Sequence, residues 1–200
     1  MHSSPDTAAS APGLEQLLAL ANPTDTCRGL FFNGVLEAAR VLGGEELRAM
    51  CFRAVGERKF VDFFSYPVTD FLRAVFLASE TLGPTMGGVD SVMRLLGRRG
   101  TGDFLCSTVG KTMLALAGTD PYRLLSTVPS GCRASLSYGE RSVERLGERH
   151  ARMMARRDFL PLPYNEGLLT AALEQSSAQG IRVQGHRRAL LDVDYEVSWS

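Results

Sequence analysis

Residues 191–199 alternate without a break. Leu191, Val193, Tyr195, Val197 and Trp199 fall on one side, and Asp192, Asp194, Glu196 and Ser198 on the other. Successive side chains of a strand point to opposite faces, so this pattern requires a sheet with one face buried and one solvated. Just upstream, 165–179 places apolar residues at helical spacing and stops at Gly180, and 181–184 starts another short strand. A helix delivered onto a β-hairpin predicts an α+β fold whose sheet is covered by helices.

The first two thirds of the chain read as helices. A short one at 14–21 ends at Asn22-Pro23. Residues 29–41 put Leu30, Val35, Ala38 and Val41 on one stripe, Gly43-Gly44 breaks the pattern, and 45–55 resumes it with Leu47, Met50, Cys51 and Val55 inward. Pro67 suits a first helical turn, where its missing N–H would be unpaired anyway, and 68–82 follows with Phe71, Leu72, Val75, Phe76 and Leu82 inward. Asp90 caps a helix to 96. The next, 101–117, has Phe104, Leu105, Val109, Met113, Leu114 and Leu116 facing inward, and Asp120-Pro121 opens a final segment to 125.

After Pro129-Ser130-Gly131 the stretch 132–138 (CRASLSY) alternates and reads as a strand. Residues 141–157 leave two readings. Val143, Leu146, His150, Met153 and Met154 fall at helical spacing, whereas Gly147 would cost such a helix about 1 kcal/mol and the flanks are strand-like. The expected organisation is a disordered tail over 1–13 and a single domain over 14–200. Its helical part is 14–128 and its β-β-α-β-β part 129–200.

Lys+Arg and Asp+Glu balance at 22 each, which leaves no electrostatic footprint for nucleic acid. The local exception is 141–157, with six Arg and His150 against Glu144 and Glu148. A solvated polar face is the expected role, and docking of an acidic partner the alternative. No signal peptide opens the chain, and apolar runs such as 17–21 are too short to span a bilayer, so a cytoplasmic protein without a membrane span is expected. Cys27, Cys51, Cys106 and Cys132 form no CxxC pair and read as separate thiols rather than a zinc site.

No nucleophile–base pair or paired carboxylates stand out, so no catalytic residue is assigned. Gly97–Gly102 (GRRGTG) lacks the Lys-Ser/Thr ending of a phosphate loop and reads as a helix–helix turn. Amides at a helix start near Thr101, helped by Arg98 and Arg99, would still suit an anion. The aromatic cluster Phe60, Phe63, Phe64 and Tyr66, with Met86, Met93, Phe104 and Met113, either lines an apolar cavity or fills a core.

The segments YPVTDFLRAVFLASETLG (66–83), VMRLLGRRGTGDFLCSTVGKTML (92–114) and the ending YNEGLLTAAL…DVDYEVSW resemble DUF2378, a myxobacterial paralogous family of unknown function, over about 27–199. More widely, the order of elements is similar to the fold group of H-NOX haem sensors, vinyl-reductase-like sensors and TRAPP subunits. That likeness implies two antiparallel strands at 133–157 and a four-stranded antiparallel sheet. It also places Cys106 on the helix that carries the ligand-contacting residue. The departures are as informative. No His lies within 104–116, Tyr138 and Arg141 give only a fragment of the Tyr-x-Ser-x-Arg haem clamp, and no Cys follows Cys132. Neither haem nor a bound metal is therefore expected. The resemblance implies a non-enzymatic regulatory or sensory module holding a small apolar ligand between helices and sheet, in a pocket of Phe60, Phe63, Phe64, Tyr66, Met93, Phe104, Cys106, Met113 and Tyr138. The rival is a protein–protein interaction or scaffold module with a solid core, such as a homodimer. A void of roughly 300 Å³ or more marks the first, an exposed apolar patch the second.

Overall fold

The alternating ending becomes β6 (Asp192–Ser198), an inner strand of an antiparallel sheet in a computed structural model that describes residues 11–200. The sheet has the order β3-β4-β6-β5, with β3 (Glu140–Gly147), β4 (His150–Arg156) and β5 (Arg182–Ala189). Of the expected tail over 1–13, the first ten residues lie outside the described ones. The ambiguous 141–157 stretch is thus two strands, and register explains why. Ala151 faces Val197, Met153 faces Tyr195 and Ala155 faces Val193, and all six are buried. The Met153–Tyr195 pair is flanked on both sides by alanine–valine pairs, and this apolar face packs beneath a helix.

The other face explains the basic run. Arg156 Nη2 lies 2.7 Å from Asp194 Oδ1, Arg188 Nε 2.8 Å from Asp194 Oδ2, and Arg152 Nη2 3.3 Å from Glu196 Oε1. Arg152 and Arg156 of β4 and Arg188 of β5 are matched by Asp194 and Glu196 of β6, so alternation in β6 supplies both core and counter-charges.

The helices are α1 (Leu14–Leu20), α2 (Gly29–Ala54), α3 (Val68–Leu82), α4 (Val89–Cys106), α5 (Thr108–Ala117), α6 (Pro121–Ser135) and α7 (Leu162–Leu173). Two three-residue strands, β1 (Thr26–Arg28) and β2 (Ser65–Pro67), pair antiparallel and are too short to show a period in sequence. The predicted break in α2 is present: two helical segments meet at Gly44, whose φ of 79° favours glycine. α7 lies between the sheet and α4. Its Leu169 and Leu173 join the sheet's apolar face, and its apolar residues run all round because both sides are covered.

Two expectations fail here. Residues 97–102 are not a turn, because α4 runs straight through them. A Cβ at Gly97 would sit 1.9 Å from the Tyr164 carbonyl oxygen, and one at Gly167 would sit 2.0 Å from the Arg94 carbonyl oxygen. The glycines let α4 and α7 cross with backbones in contact. The break comes instead at Ser107, whose Oγ caps α5 by accepting from the Gly110 N–H at 3.2 Å. Second, 132–135 belongs to α6 and not to a strand; only Leu136 bridges to Cys27. Leu124, Leu125, Gly131 and Ser135 share the buried side of that helix, and the apparent alternation of CRASLSY arose from its small residues.

Arg157, with φ of 50°, ends β4 and forks onto Asp25 through Nη1–Oδ1 and Nη2–Oδ2, both 2.8 Å. That hydrogen bonding holds the Asp25 carboxyl below the usual carboxylate range, against burial, which acts to raise it. The folded pKa thus lies below the unfolded value of about 4. The pair's stabilisation is complete above that value and is lost as pH falls through the lowered one. Urea midpoints measured from pH 6 down to pH 2 should therefore fall on the acid side. Asp25→Asn should start lower and fall less steeply.

Candidate functional site

α4, α5, α6 and α7 do not close completely on one another. They enclose an apolar void of about 70 Å³, well short of the roughly 300 Å³ that marks a preformed ligand pocket. Thr101, Phe104 and Leu105 of α4 form one wall, Met113 of α5 the outer side, Leu124, Val128, Gly131 and Cys132 of α6 another, and Leu168 and Ala172 of α7 the inner side. Gly131 lines it on the α6 side. A Cβ on Gly131 would come within 3.3 Å of Met113 Cε and of the Phe104 ring, so any longer side chain must displace these two wall groups. No residue of β3 to β6 reaches it, since α7 stands between. The expected pocket between helices and sheet is thus a pocket between helices.

The polar groups of the wall are neutral, and its threonines bond to the backbone. Thr101 Oγ1 donates to the Gly97 carbonyl at 3.0 Å and Thr127 Oγ1 to the Leu124 carbonyl at 2.7 Å. Burial pushes the Cys132 thiol up to about 11, and raises the Cys27 thiol and the Tyr164 phenol further, so all three stay protonated near neutral pH.

α5 is the least covered part of the enclosure. Among its residues only Gly110 and Ala117 are buried, while Val109 is 49% and Leu116 78% exposed, although helical spacing predicts both inward. Ser107 in extended conformation and Gly118, at φ 63°, bound the helix.

Beyond the cavity's end lies a buried charged group. Arg141 and Asp158 side chains are 3% and 1% exposed, with Nη2 and Oδ1 2.8 Å apart but off the axis of a hydrogen bond. Asp158 also accepts from the Leu160 N–H at 3.0 Å and from Asn165 Nδ2 at 3.1 Å. The Arg141 guanidinium stands 5.6 Å from the centre of the Tyr138 ring.

Of the nine residues expected in a pocket, Phe104 and Met113 line the void. Phe60 stacks on Phe32 at 4.2 Å in the main core, and Tyr66 packs edge-on to both. Met93 is core, and Met86 packs against it. Phe63 and Phe64 turn outward, 70% and 53% exposed. Tyr138 is buried against Phe159. Cys106 is exposed and opens on a separate polar pocket with Asp62, Arg99 and Asp103. The anion site also loses its premise. Thr101 is mid-helix with its hydroxyl committed, Arg98 pairs with Glu174 at 2.6 Å, and Arg99 lies 3.5 Å from Asp103. His150 and His186 lie on β4 and β5, away from the void, and among the described residues no three His, Cys, Asp or Glu side chains cluster as a metal site would require.

Residues 20–200 match the family described as "Protein of unknown function (DUF2378)", and the chain belongs to that family. No curated protein matches the sequence. Among solved structures it is similar to an H-NOX protein from S. oneidensis in the Fe(II)NO ligation state, with a TM-score of 0.69 and 12% identity over 86% of this chain and 99% of that one. It is also similar to the Fe(II) unliganded H-NOX protein from K. algicida, with a TM-score of 0.65 and 13% identity over 86% and 96%. At these identities the likeness is one of fold. No helix among the described residues is long and apolar enough to cross a membrane.

Proposed function

We propose that this DUF2378 protein is a non-enzymatic sensory module that holds a small apolar molecule between α4, α5, α6 and α7 and reports its presence through α5. The observation that carries this reading is the apolar void walled on its outer side by a barely buried helix. A molecule pressing on Met113 moves α5, and with it the solvent-facing Val109 and Leu116 that a partner would meet. The signal is bounded by the ligand's difference in affinity between the two positions of α5. Size constrains the occupant. A cavity of about 150 Å³ admits benzene, so a void of about 70 Å³ takes a ring only if Met113 and Phe104 swing outward. Methionine's flexibility suits that motion.

The iron ligation named for the H-NOX structures finds no fit here. Among the described residues no histidine lines the void, and its two thiols are held protonated by burial. No step is therefore routed through haem.

Gly131→Leu tests the assignment, because its side chain must push Met113 and Phe104 out of their places in the wall. Toluene added to protein with ¹³C-labelled methyl groups should shift the Met113, Leu168 and Ala172 signals saturably in the natural protein and leave Gly131→Leu unmoved. Unmoved signals in both would refute ligand binding at this place. The scaffold reading keeps one specific observation in its favour, the adjoining Phe63 and Phe64 rings exposed together, their centroids 5.0 Å apart. Native mass spectrometry separates the two: a co-released small molecule supports the sensor, an apo oligomer the scaffold.

A further inference from the structure

We infer that the cavity selects uncharged ligands and rejects their carboxylate analogues, because the one cation buried behind its end wall is already neutralised from within. This inference rests on the cavity being a ligand site. Among the described residues no cationic or anionic side chain lines the void. Two arginines act on the Cys132 thiol in the wall, Arg141 and Arg133. Arg133 is exposed and bonds to Ser130 Oγ at 2.7 Å. Arg141 is enclosed, but Asp158 holds it at 2.8 Å, and its Nη1 donates to the Tyr138 carbonyl at 3.1 Å. Its charge is spent inside the fold.

A carboxylate entering the void would leave water and meet no counter-charge, only the neutral hydroxyls of Ser135 and Tyr164 and a few weak or committed donors. The thiols of Cys27 and Cys132 are weak donors, and the Thr101 and Thr127 hydroxyls already bond to backbone carbonyls. Burying a charge without a partner is among the most costly events in a protein interior. An uncharged molecule meets none of these penalties and gains from leaving water. The arrangement also excludes an apolar group carrying acid arms, which would require Arg141 to be free.

Toluene and benzoate are near-isosteric and differ in charge, which makes them the test. Titrated into the natural protein near neutral pH and followed at the Met113, Leu168 and Ala172 methyl signals, toluene should bind saturably. Benzoate should bind at least about 100-fold more weakly, as expected for burial of an uncompensated charge. Benzoate binding as tightly as toluene, at the same methyl groups and abolished by Gly131→Leu, overturns the inference and leaves the ligand-binding reading intact. If toluene moves none of these methyl groups, or moves them equally in Gly131→Leu, the ligand-binding reading fails and this inference with it.

Discussion

Replacing Gly97 with valine is expected to cost about 3 kcal/mol or more, lowering the melting temperature by about 10 °C. α4 and α7 share the most extensive helix–helix contact in the chain, and they meet through glycine on both sides. A Cβ at 97 would overlap the Tyr164 carbonyl, which is backbone and cannot rotate away; a Cβ at 167 would overlap the Arg94 carbonyl in the same manner. Any side chain there forces the two axes apart. That opens the junction between the helical layer and the sheet, because α7 carries Leu169 and Leu173 onto the sheet and Leu168 towards the helices. Gly102→Ala is the internal control. It lies in the same helix with nothing within 4 Å of its Cβ position, so it should stabilise by about 0.5–1 kcal/mol. Thermal unfolding followed by circular dichroism compares the three proteins directly. A Gly97→Val protein melting within a few degrees of the natural one would show that the helices do not need backbone contact.

The same glycines show where sequence reasoning loses its grip. Glycine inside an isolated helix is unfavourable, so local rules turn GRRGTG into a turn, and only contact with a distant segment reverses that. The C-terminal hairpin was legible for the opposite reason. One face of β6 is buried and the other ion-paired, so composition alternates in step with the pleat. Strands β3 and β4 hid because Leu146 and Met154 stand off the buried face among the arginines, which blurs the period of two; resemblance, not periodicity, resolved them. The pocket was misplaced for a further reason. Aromatic density at 60–66 marks where volume is filled, and Phe60 and Tyr66 do fill the core. A void is marked by missing volume, and Gly131 lines it opposite Phe104 and Met113. Nothing local distinguishes that glycine from one in a turn, and reading 132–138 as a strand left Cys132 without a helical wall to belong to.

Removing the Asp158 charge alone is expected to be the most damaging single polar change in the protein. Asp158→Ala leaves the Arg141 guanidinium enclosed without its counter-ion and deprives the Leu160 N–H and Asn165 Nδ2 of their acceptor. Breaking a buried pair from one side costs about 3–5 kcal/mol. Burial by itself disfavours the Arg141 charge, and the nearby Asp158 carboxylate reverses this and holds its pKa above the ordinary arginine value. The guanidinium therefore stays charged at every pH at which the protein folds. Its double replacement should behave differently from either single one. In Arg141→Met/Asp158→Asn no charge remains to be desolvated, and the amide oxygen introduced at position 158 can still accept one of the two hydrogen bonds. Most of the lost stability should return, as it does when buried ion pairs are exchanged for apolar groups of similar volume. Urea unfolding of Arg141→Met, Asp158→Asn and the double variant gives the coupling directly. A coupling below about 0.5 kcal/mol would mean that the two groups are solvated independently, and that Arg141 remains free to meet an anionic ligand.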